Sequence, residues 1–354
     1  IDEAVAEIEK IPADASVYYD AYRMNYRLYT AIPHTAEKIR GFDIVNNLKA
    51  IKNPVELENF IRTNIMDSAA VFKLLHYVKK HVSEGTVNEY NVSAVMHGIR
   101  SKNPEFLSAR PLDLMAAYME NAAGPHYHAT ADDYAEIRPS GILLFDIIAH
   151  YLGGTVDITR TIYLGPCPEY DEQLRHDYTL VLRSLMDTLR QVFRHGADGA
   201  YLDCVPRRIM WNEHLQYGYG TGHGVGYCIV PHEGPQFISE PSYKKEWAFS
   251  YLTLEKDMVM SIEPGIYKEG KYGLRLEDNV YIAEDLTNEY GDFLKFVDMT
   301  CIPFERALID VNMLHEDEID WLNDYHRNSR EKLSPYLDEE ERLALQEATA
   351  PLKK

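Results

Sequence analysis

The chain has 354 residues, of which 45% are hydrophobic and 26% charged, the proportions of a globular protein. Its formal net charge of −20 argues against a surface for nucleic acid or anionic membranes, because both need clustered basic residues. No apolar run approaches the ~20 residues of a membrane span. The four widely spaced cysteines form no CxxC pair, which favours reduced thiols and a cytoplasmic location.

The first 45 residues are typical of the end of one domain and a linker. The chain begins with Ile1 inside an acidic, helix-like segment, so we expect it to be part of a longer protein. The stretch "ASVYYDAYRMNYRLYTAI" mixes strand-like and aromatic residues, and "PHTAEKIRGFDIVNN" predicts a loop.

Three helices are predicted in the next part of the chain. The first begins after Asn53, an N-cap residue that is followed by Pro54 and, at capping-box distance, by Glu56. Apolar residues then recur every three or four positions. The second helix covers "VNEYNVSAVMHGIRSK", and the third covers "EYDEQLRHDYTLVLRSLMDTLRQVFRHG" and ends on a glycine.

Short strand-like runs alternate with these helices: "GILLFDIIAHYLGG", "VDITRTIYLG", "DMVMSIEPGIYK" and "YGLRLEDNVYIAE". Because the spacing is not that of regular βαβ units, the pattern predicts the α+β class rather than a Rossmann-type fold. After about residue 305 the chain becomes acidic and helical, which predicts a small C-terminal helical extension.

Four acidic residues occur inside these apolar β-runs, where a carboxylate is costly to bury without a partner. They are Asp146, Asp157, Glu263 and Glu277, and His223 lies between them in a glycine-rich run. A salt bridge to Arg160 or Arg275 would explain any one of them alone. Four carboxylates and an imidazole suit Mn²⁺, Co²⁺ or Zn²⁺, and they are too many for one catalytic ion with an open position. The set therefore predicts two ions that share bridging carboxylates.

The run "GTGHGVGYCIVPHEGPQ" holds His223 and His232. Its glycines would let the backbone pass close to the ions, and they also suit simple turns. Phosphate binding is poorly supported, because the run lacks the Lys-Ser/Thr of a P-loop and its acidic neighbours would repel phosphate.

This set of motifs resembles the pita-bread metallopeptidases and, among them, the aminopeptidase P (Xaa-Pro aminopeptidase) group. The match is carried by "LLFD…GTVDITRT", "YGTGHGVGYCIVPHEGP", "SIEPGIY" and "YGLRLEDNV", within about residues 51–303. The resemblance implies a pita-bread fold, in which two similar αβ halves wrap a site on a curved antiparallel sheet. It also implies three parts: residues 1–45 as the remnant of an upstream creatinase-like domain, 46–304 as the catalytic domain, and 305–354 as the extension.

Site roles follow from the same resemblance. Asp146 and Asp157 would bind one ion, with Asp157 bridging. His223 and Glu263 would bind the other, and Glu277 would bridge both. Glu263 would also act as the general base towards the bridging water or hydroxide, which attacks the scissile carbonyl. The ions would be Mn²⁺, or alternatively Co²⁺ or Zn²⁺.

Three further residues are expected to handle the substrate. His232 would steady the scissile carbonyl, and His126 in "GPHYH" would help with proton transfer at the scissile nitrogen, with His128 as the competing candidate. Tyr219 stands where the family usually has a histidine that lines the proline pocket. The first aspartate is followed by Ile147 and Ile148 instead of the usual small residues, and we expect both to crowd it.

The resemblance implies an aminopeptidase that removes the N-terminal residue from peptides with proline in second position. A site that attacks the carbonyl directly does not need the N–H that an Xaa-Pro bond lacks. A cytoplasmic homodimer is expected, without nucleic-acid or membrane partners. Because Tyr219 and Ile147-Ile148 depart from the family pattern, the alternatives are a non-catalytic binding protein and a protein of altered specificity, such as a prolidase that cleaves only Xaa-Pro dipeptides. A creatinase-like protein without metal is a further alternative.

Overall fold

The computed structural model describes residues 2–21, 23–107, 114–228, 230–240 and 252–354. The chain divides into two compact units, Ile1–Lys49 and Ala50–Lys354. The first unit contains a two-stranded parallel sheet, and the second contains the antiparallel sheets and the long helices. The domain limits expected at residues 45 and 304 stay a prediction.

The helices of the described residues are α1 Asp2–Ile8, α2 Tyr26–Ala31, α3 Ile44–Ala50, α4 Pro54–His81, α5 Val92–Arg100, α6 Asp171–Leu189, α7 Gly199–Asn212, α8 Glu316–Leu333 and α9 Glu339–Ala348. The strands are β1 Ser16–Tyr19, β2 Glu37–Arg40, β3 Leu114–Tyr118, β4 Gly141–Tyr151, β5 Gly154–Gly165, β6 Val192–Arg194, β7 Gly222–His223, β8 Phe237–Ile238, β9 Val259–Ile262, β10 Gly265–Lys268, β11 Tyr272–Arg275, β12 Asp278–Asn288 and β13 Gly291–Asp298. Among the described residues, no helix combines the length and apolar character that crossing a membrane requires.

The second unit consists of two αβ halves. In the first half, β3, β4 and β5 form an antiparallel sheet in that order, and its apolar face packs with α4 and α5. In the second half, the sheet order is β6-β13-β12-β9, and it packs with α6 and α7. A backbone bridge between Thr159 on β5 and Glu277 joins the halves. The α+β class predicted from the sequence is confirmed.

The predicted start of the first long helix is confirmed at α4. The side chain of Asn53 accepts from the backbone N–H groups of Val55 and Glu56, at 3.0 Å each, and Glu56 bonds back to the Asn53 N–H at 2.9 Å. This capping box satisfies donors that the first helical turn cannot pair internally. The helix then buries a face that includes Phe60, Leu74 and other apolar residues.

Several element predictions differ from the structure, two of them because strand pairing overrides the local pattern. The predicted loop at 33–47 contains β2 and the start of α3. The third predicted helix ends at Leu189, and Val192–Arg194 forms β6 beside β13. Helix α7 was not predicted, since Pro206 lies inside it and an interior proline usually ends a helix.

The predicted C-terminal helices are confirmed as α8 and α9, and α8 carries a fully buried histidine, His326. The backbone N–H of Phe304 donates to its Nε2 at 3.3 Å, which assigns the ring proton to Nδ1. Burial, followed by the positive charges of Arg306, Arg160 and Arg330, lowers the pKa of His326 to about 3. The folded protein therefore keeps this ring neutral well below the ordinary histidine pKa.

We expect the free energy of unfolding to fall as the pH drops below about 6.5. The unfolded chain then protonates His326, whereas the folded chain excludes that proton until about pH 3. Between about pH 6.5 and pH 5, the free energy of unfolding of His326→Gln should fall less than that of the parent, by at most about 2 kcal/mol. Urea denaturation at several pH values measures how steeply the free energy of unfolding changes with pH in the parent and in the variant. His214→Asn, at an exposed position, is the control. Equal slopes for the parent and His326→Gln would contradict this account.

Candidate metal centre

The first two carboxylates share one face of the hairpin β4–β5. Asp146 pairs with Thr159, and two residues further on Ile148 pairs with Asp157. Because alternate residues of a strand share a face, these four side chains form one patch. Ile147 points to the opposite face, where it is fully buried in the apolar core. The expectation that both isoleucines crowd the first aspartate is therefore wrong for Ile147, and Ile148 alone lies beside the carboxylates.

His223 presents one ring nitrogen to these carboxylates. Its Nδ1 lies 3.0 Å from the carbonyl oxygen of Gly224, so Nδ1 carries the proton and the Nε2 lone pair is available to a cation. Nε2 lies 3.6 Å from Oδ2 of Asp157 and 3.4 Å from Oε1 of Glu263. The short strand β7 thus brings the histidine between a carboxylate of each half.

Two glycines beside His223 are required by neighbouring backbone. A Cβ on Gly222 would lie 2.0 Å from the carbonyl oxygen of Ser261, and a Cβ on Gly224 would lie 2.0 Å from that of Glu233. No L side chain fits at either distance. The backbone at Ser261 and at Glu233 therefore packs directly against these two glycines. This close packing fixes the position of His223.

The last two carboxylates follow strands of the second half. Glu263 comes directly after β9, and its backbone N–H donates to the Thr221 carbonyl at 2.7 Å. Glu277 lies between β11 and β12, and its N–H donates to the Thr159 carbonyl at 3.0 Å. The Thr159 hydroxyl also donates to Oε2 of Glu277 at 2.7 Å. Glu277 is thereby tied by backbone and side chain to β5 of the first half.

The donor atoms of these side chains converge. Three groups have one donor atom per residue within 4.8 Å of one another: Asp146, Asp157 and Glu277; His223, Glu263 and Glu277; and Asp157, His223 and His232. Glu277, Asp157 and His223 each belong to two groups. Of these, the two carboxylates each offer two oxygens, so they suit ligands shared between two ions. All five expected ligands are brought together, and His232 is added to them.

The electrostatics of the cluster favour a bound cation. Burial raises the pKa of Glu263 to about 8, with Arg275 opposing this rise and Asp146 adding to it. Burial is also the main cause that raises the pKa of Glu277 well above its ordinary value. Burial lowers the pKa of His223 to about 3, so its imidazole is neutral, the form that binds metals. A cation would stabilise the charged carboxylates that burial disfavours, so these residues fit a divalent pair.

The cluster lines a cavity of about 310 Å³. Its wall also includes His126, His128, His232 and Tyr219, so every expected substrate-handling residue reaches it. The ring centres of His223 and His232 are 4.3 Å apart. Burial lowers the pKa of His232, the charge of Asp146 opposes this, and His126 adds a smaller lowering effect.

Arg275, which the sequence offered only as a salt-bridge partner, connects three parts of the site. Its guanidinium forms an ion pair with Asp146, donates to the Thr159 hydroxyl at 3.1 Å and donates to the Tyr267 hydroxyl at 2.6 Å. Because Thr159 donates onward to Glu277, one side chain orients two of the carboxylates. The one sign of this role in the sequence was the position of Arg275 two residues before Glu277.

Sequence reasoning also missed part of the cavity wall. Met115, on β3, pairs with Asp146 on β4, and Met115 and Phe237 line the same cavity. Ile148, which the sequence already placed beside the first aspartate, lines this cavity too. Nothing in the sequence brings Met115 and Phe237 to this wall, because both depend on tertiary pairing.

Known proteins match this chain over the region that contains the site residues. The sequence profile of metallopeptidase family M24 matches residues 58–284, and that of the C-terminal region of peptidase M24 matches residues 292–352. The chain is 36% identical to aminopeptidase P1 of Lotus japonicus over 330 residues, which are 86% of this chain and 48% of that protein. It is 31% identical to Xaa-Pro aminopeptidase 2 of Mus musculus over 343 residues, which are 96% of this chain and 49% of that protein.

A solved structure resembles nearly the whole chain. X-prolyl aminopeptidase from Caenorhabditis elegans, described as a cytosolic enzyme with a di-nuclear active site, superposes with a TM-score of 0.88. That match has 28% identity and covers 99% of this chain and 57% of that chain. The pita-bread fold expected from the sequence is confirmed. The chain spans about half the length of the curated relatives it matches.

Arg275→Lys is expected to lower the affinity for Mn²⁺ about 10- to 100-fold. The variant keeps a positive charge, but a single ammonium cannot reach Asp146, Thr159 and Tyr267 together. Competition with a fluorescent chelator measures the affinity. Tyr267→Phe removes one of the three contacts and serves as the matched control, with a smaller expected loss. Unchanged affinity in Arg275→Lys would show that the carboxylates hold their positions without the guanidinium.

Proposed function

The chain belongs to metallopeptidase family M24, and we propose that it is a dinuclear metal-dependent aminopeptidase acting on peptides with proline in second position. The observation that carries the proposal is the convergence of five donor side chains into overlapping groups, at a cavity lined by further histidines and a tyrosine. The names of the relatives, Xaa-Pro and X-prolyl aminopeptidases, support the substrate class.

We assign Asp146, Asp157 and Glu277 to one ion. His223 and Glu263 would hold the other ion, and Glu277 and Asp157 would serve both. Bound divalent ions, for which we propose Mn²⁺, supply Lewis-acid polarisation of a carbonyl and lower the pKa of a water molecule. The overlap of the donor groups at Glu277 supports this division.

Three side chains of the cavity have proposed roles in the chemistry. Glu263 accepts the proton of the attacking water as general base, which its place in the ligand group supports. His232, whose ring lies 4.3 Å from that of His223, donates to the scissile carbonyl oxygen. His126 passes a proton to the leaving nitrogen. The family resemblance supports the choice of His126 over His128, and both line the cavity.

Tyr219 is proposed to form one wall of the proline pocket. Its ring packs against Tyr217 and Tyr267, with ring centres 5.3 and 5.5 Å away. Its hydroxyl lies 2.7 Å from the Tyr267 hydroxyl and 3.2 Å from the carbonyl oxygen of Glu263. These contacts fix the ring beside the ligands, where an apolar proline ring could pack on it.

A prolidase acting only on dipeptides, a creatinase-like protein without metal and a non-catalytic binding protein are the competing functions. The match to the C-terminal region of peptidase M24 and the names of the curated relatives favour the aminopeptidase. The complete ligand set argues against a protein that has lost its metals. We also propose a homodimer from the family resemblance, and a cytoplasmic location that the cytosolic Caenorhabditis elegans neighbour supports.

The metal-stripped protein should regain hydrolysis of Ala-Pro-Ala when Mn²⁺ is added, with Co²⁺ and Zn²⁺ as comparisons. Glu263→Ala should lower kcat about 100-fold or more, because it removes both a ligand and the general base. Glu269→Ala, at an exposed position six residues further on, is the matched control and should keep the parent rate.

Three results would separate the competing functions. Cleavage of Ala-Pro but not of Ala-Pro-Ala would identify a prolidase. Cleavage of Ala-Pro-Ala that survives chelation and Glu263→Ala would reject the metal mechanism. Binding of two ions per chain with no cleavage of either peptide would reject the proposed activity for this chain.

Tyr219→Ala should reduce the preference for proline, measured as kcat/KM for Ala-Pro-Ala divided by kcat/KM for Ala-Ala-Ala. Losing one wall of a small apolar pocket is expected to lower this ratio about 10-fold or more. The exposed Tyr290→Ala is the control for loss of a tyrosine ring. A ratio equal to the parent's, with metal content retained, would remove Tyr219 from the proline pocket.

A further inference from the structure

Glu89 is a buried carboxylate outside the cluster of ligands. It lies three residues before α5, and only 2% of it is exposed. Its backbone N–H donates to the Ala135 carbonyl at 3.1 Å, and the N–H of Ile137 donates to the Val87 carbonyl at 3.2 Å. These bonds hold residues 87–89 beside residues 135–137.

The Glu89 carboxylate accepts hydrogen bonds from four donor groups, none of which carries a charge. Oε1 accepts from the Tyr118 backbone N–H at 2.6 Å, and both oxygens accept from the Asn121 side chain, at 3.1 and 3.0 Å. Oε2 also accepts from the Tyr127 hydroxyl at 2.8 Å and the Ala135 N–H at 2.7 Å. Such a network is the means by which a buried carboxylate without a cation is stabilised.

All four donors belong to one stretch, residues 118–135, which carries His126 and His128. Tyr118 ends β3, where this stretch begins, and Ala135 lies at its other end. Tyr127 stands between the two histidines. Glu89 therefore pins the stretch at its start, its middle and its end.

The anchor at Tyr127 sets the direction of its neighbours. The hydroxyl of Tyr127 bonds to Glu89, and its ring packs against the cluster that contains Met115 and Leu144. His126 and His128, on either side, line the metal cavity instead. With Tyr127 held on one side, the flanking side chains project to the other.

The start of the stretch is also strained. Met119 has φ of 47°, a left-handed conformation that is uncommon for a residue with a side chain. Strain of this kind persists only where surrounding contacts impose it. The Glu89 bonds to Tyr118 and Asn121 lie on either side of Met119 and supply such contacts.

We propose that Glu89 is a positioning residue of the peptidase reaction: it holds residues 118–135 so that His126 reaches the metal cavity. The inference rests on the proposed function for its kinetic consequence. The hydrogen-bond network itself is independent of that function, and no donor to Glu89 belongs to the three ligand groups.

Glu89→Gln tests the carboxylate with little change of shape. An amide replaces one accepting oxygen by NH₂, which would face at least one donor and leave it unpaired. We expect kcat for Ala-Pro-Ala to fall about 100-fold, the effect of misplacing a catalytic group by about 1 Å. The metal content should stay that of the parent. Glu136→Gln removes an exposed carboxylate directly after this stretch and should leave kcat unchanged.

A double-mutant cycle separates positioning from general loss of stability. If Glu89 acts through His126, Glu89→Gln should add little further loss of kcat to His126→Ala. Additive losses would overturn the proposal, as would a parent-like kcat in Glu89→Gln. Tyr127→Phe removes one of the bonds and keeps the carboxylate, so it provides a second variant with a smaller expected loss.

Hydrogen exchange gives a readout that does not require activity. Residues 118–135 should lose protection in Glu89→Gln and keep it in Glu136→Gln. Unchanged protection would overturn the positioning role even if the parent cleaves no peptide. A parent that cleaves nothing while this stretch loses protection in Glu89→Gln would refute the proposed function and support Glu89 as the anchor.

Discussion

The burial of four carboxylates close to one another is the constraint on which the rest of the site depends. Asp146, Asp157, Glu263 and Glu277 meet within a few ångströms, and burial there raises the pKa of Glu263 and of Glu277. Arg275 offsets part of the cost of this burial through its ion pair with Asp146. The remainder calls for divalent cations, and the neutral His223 completes a donor set that suits them.

Such a cluster can be held only by backbone that does not yield. Asp146 and Asp157 stand on paired strands, and the bridge from Thr159 to Glu277 carries the register of one half into the other. Gly222 lets β7 lie so close to Ser261 that no side chain would fit. The ligands are therefore fixed by strand pairing and close backbone approach, which resist a local relaxation that would let the charges separate.

The features of the fold and the site that could be predicted are those that a short stretch of sequence reveals. Acidic residues in apolar strands are visible locally, so the ligands could be found, and so could the capped start of α4. The alternation of side chains along β4 places Ile147 on the face opposite Asp146, whereas we expected it beside the aspartate. Arg275 could be seen only as a charge partner, because its contact with Tyr267 depends on the pairing of β10 with β11. Glu89 carried no sequence signal, since an acidic residue just before a helix is ordinarily a solvated one.

The hydrogen-bond networks around Arg275 and around Glu89 differ in how they respond to the metal ions. Arg275 orients carboxylates whose charges change when an ion enters or leaves, whereas Glu89 is satisfied by neutral donors that touch no ligand. Filling the metal site should therefore leave the Glu89 hydrogen bonds intact, so that His126 already faces the cavity before the ions arrive. Because the ligands lie on or next to strands and His126 lies on an anchored loop, metal binding and the placement of the proton-transfer group are separable steps in assembling this site.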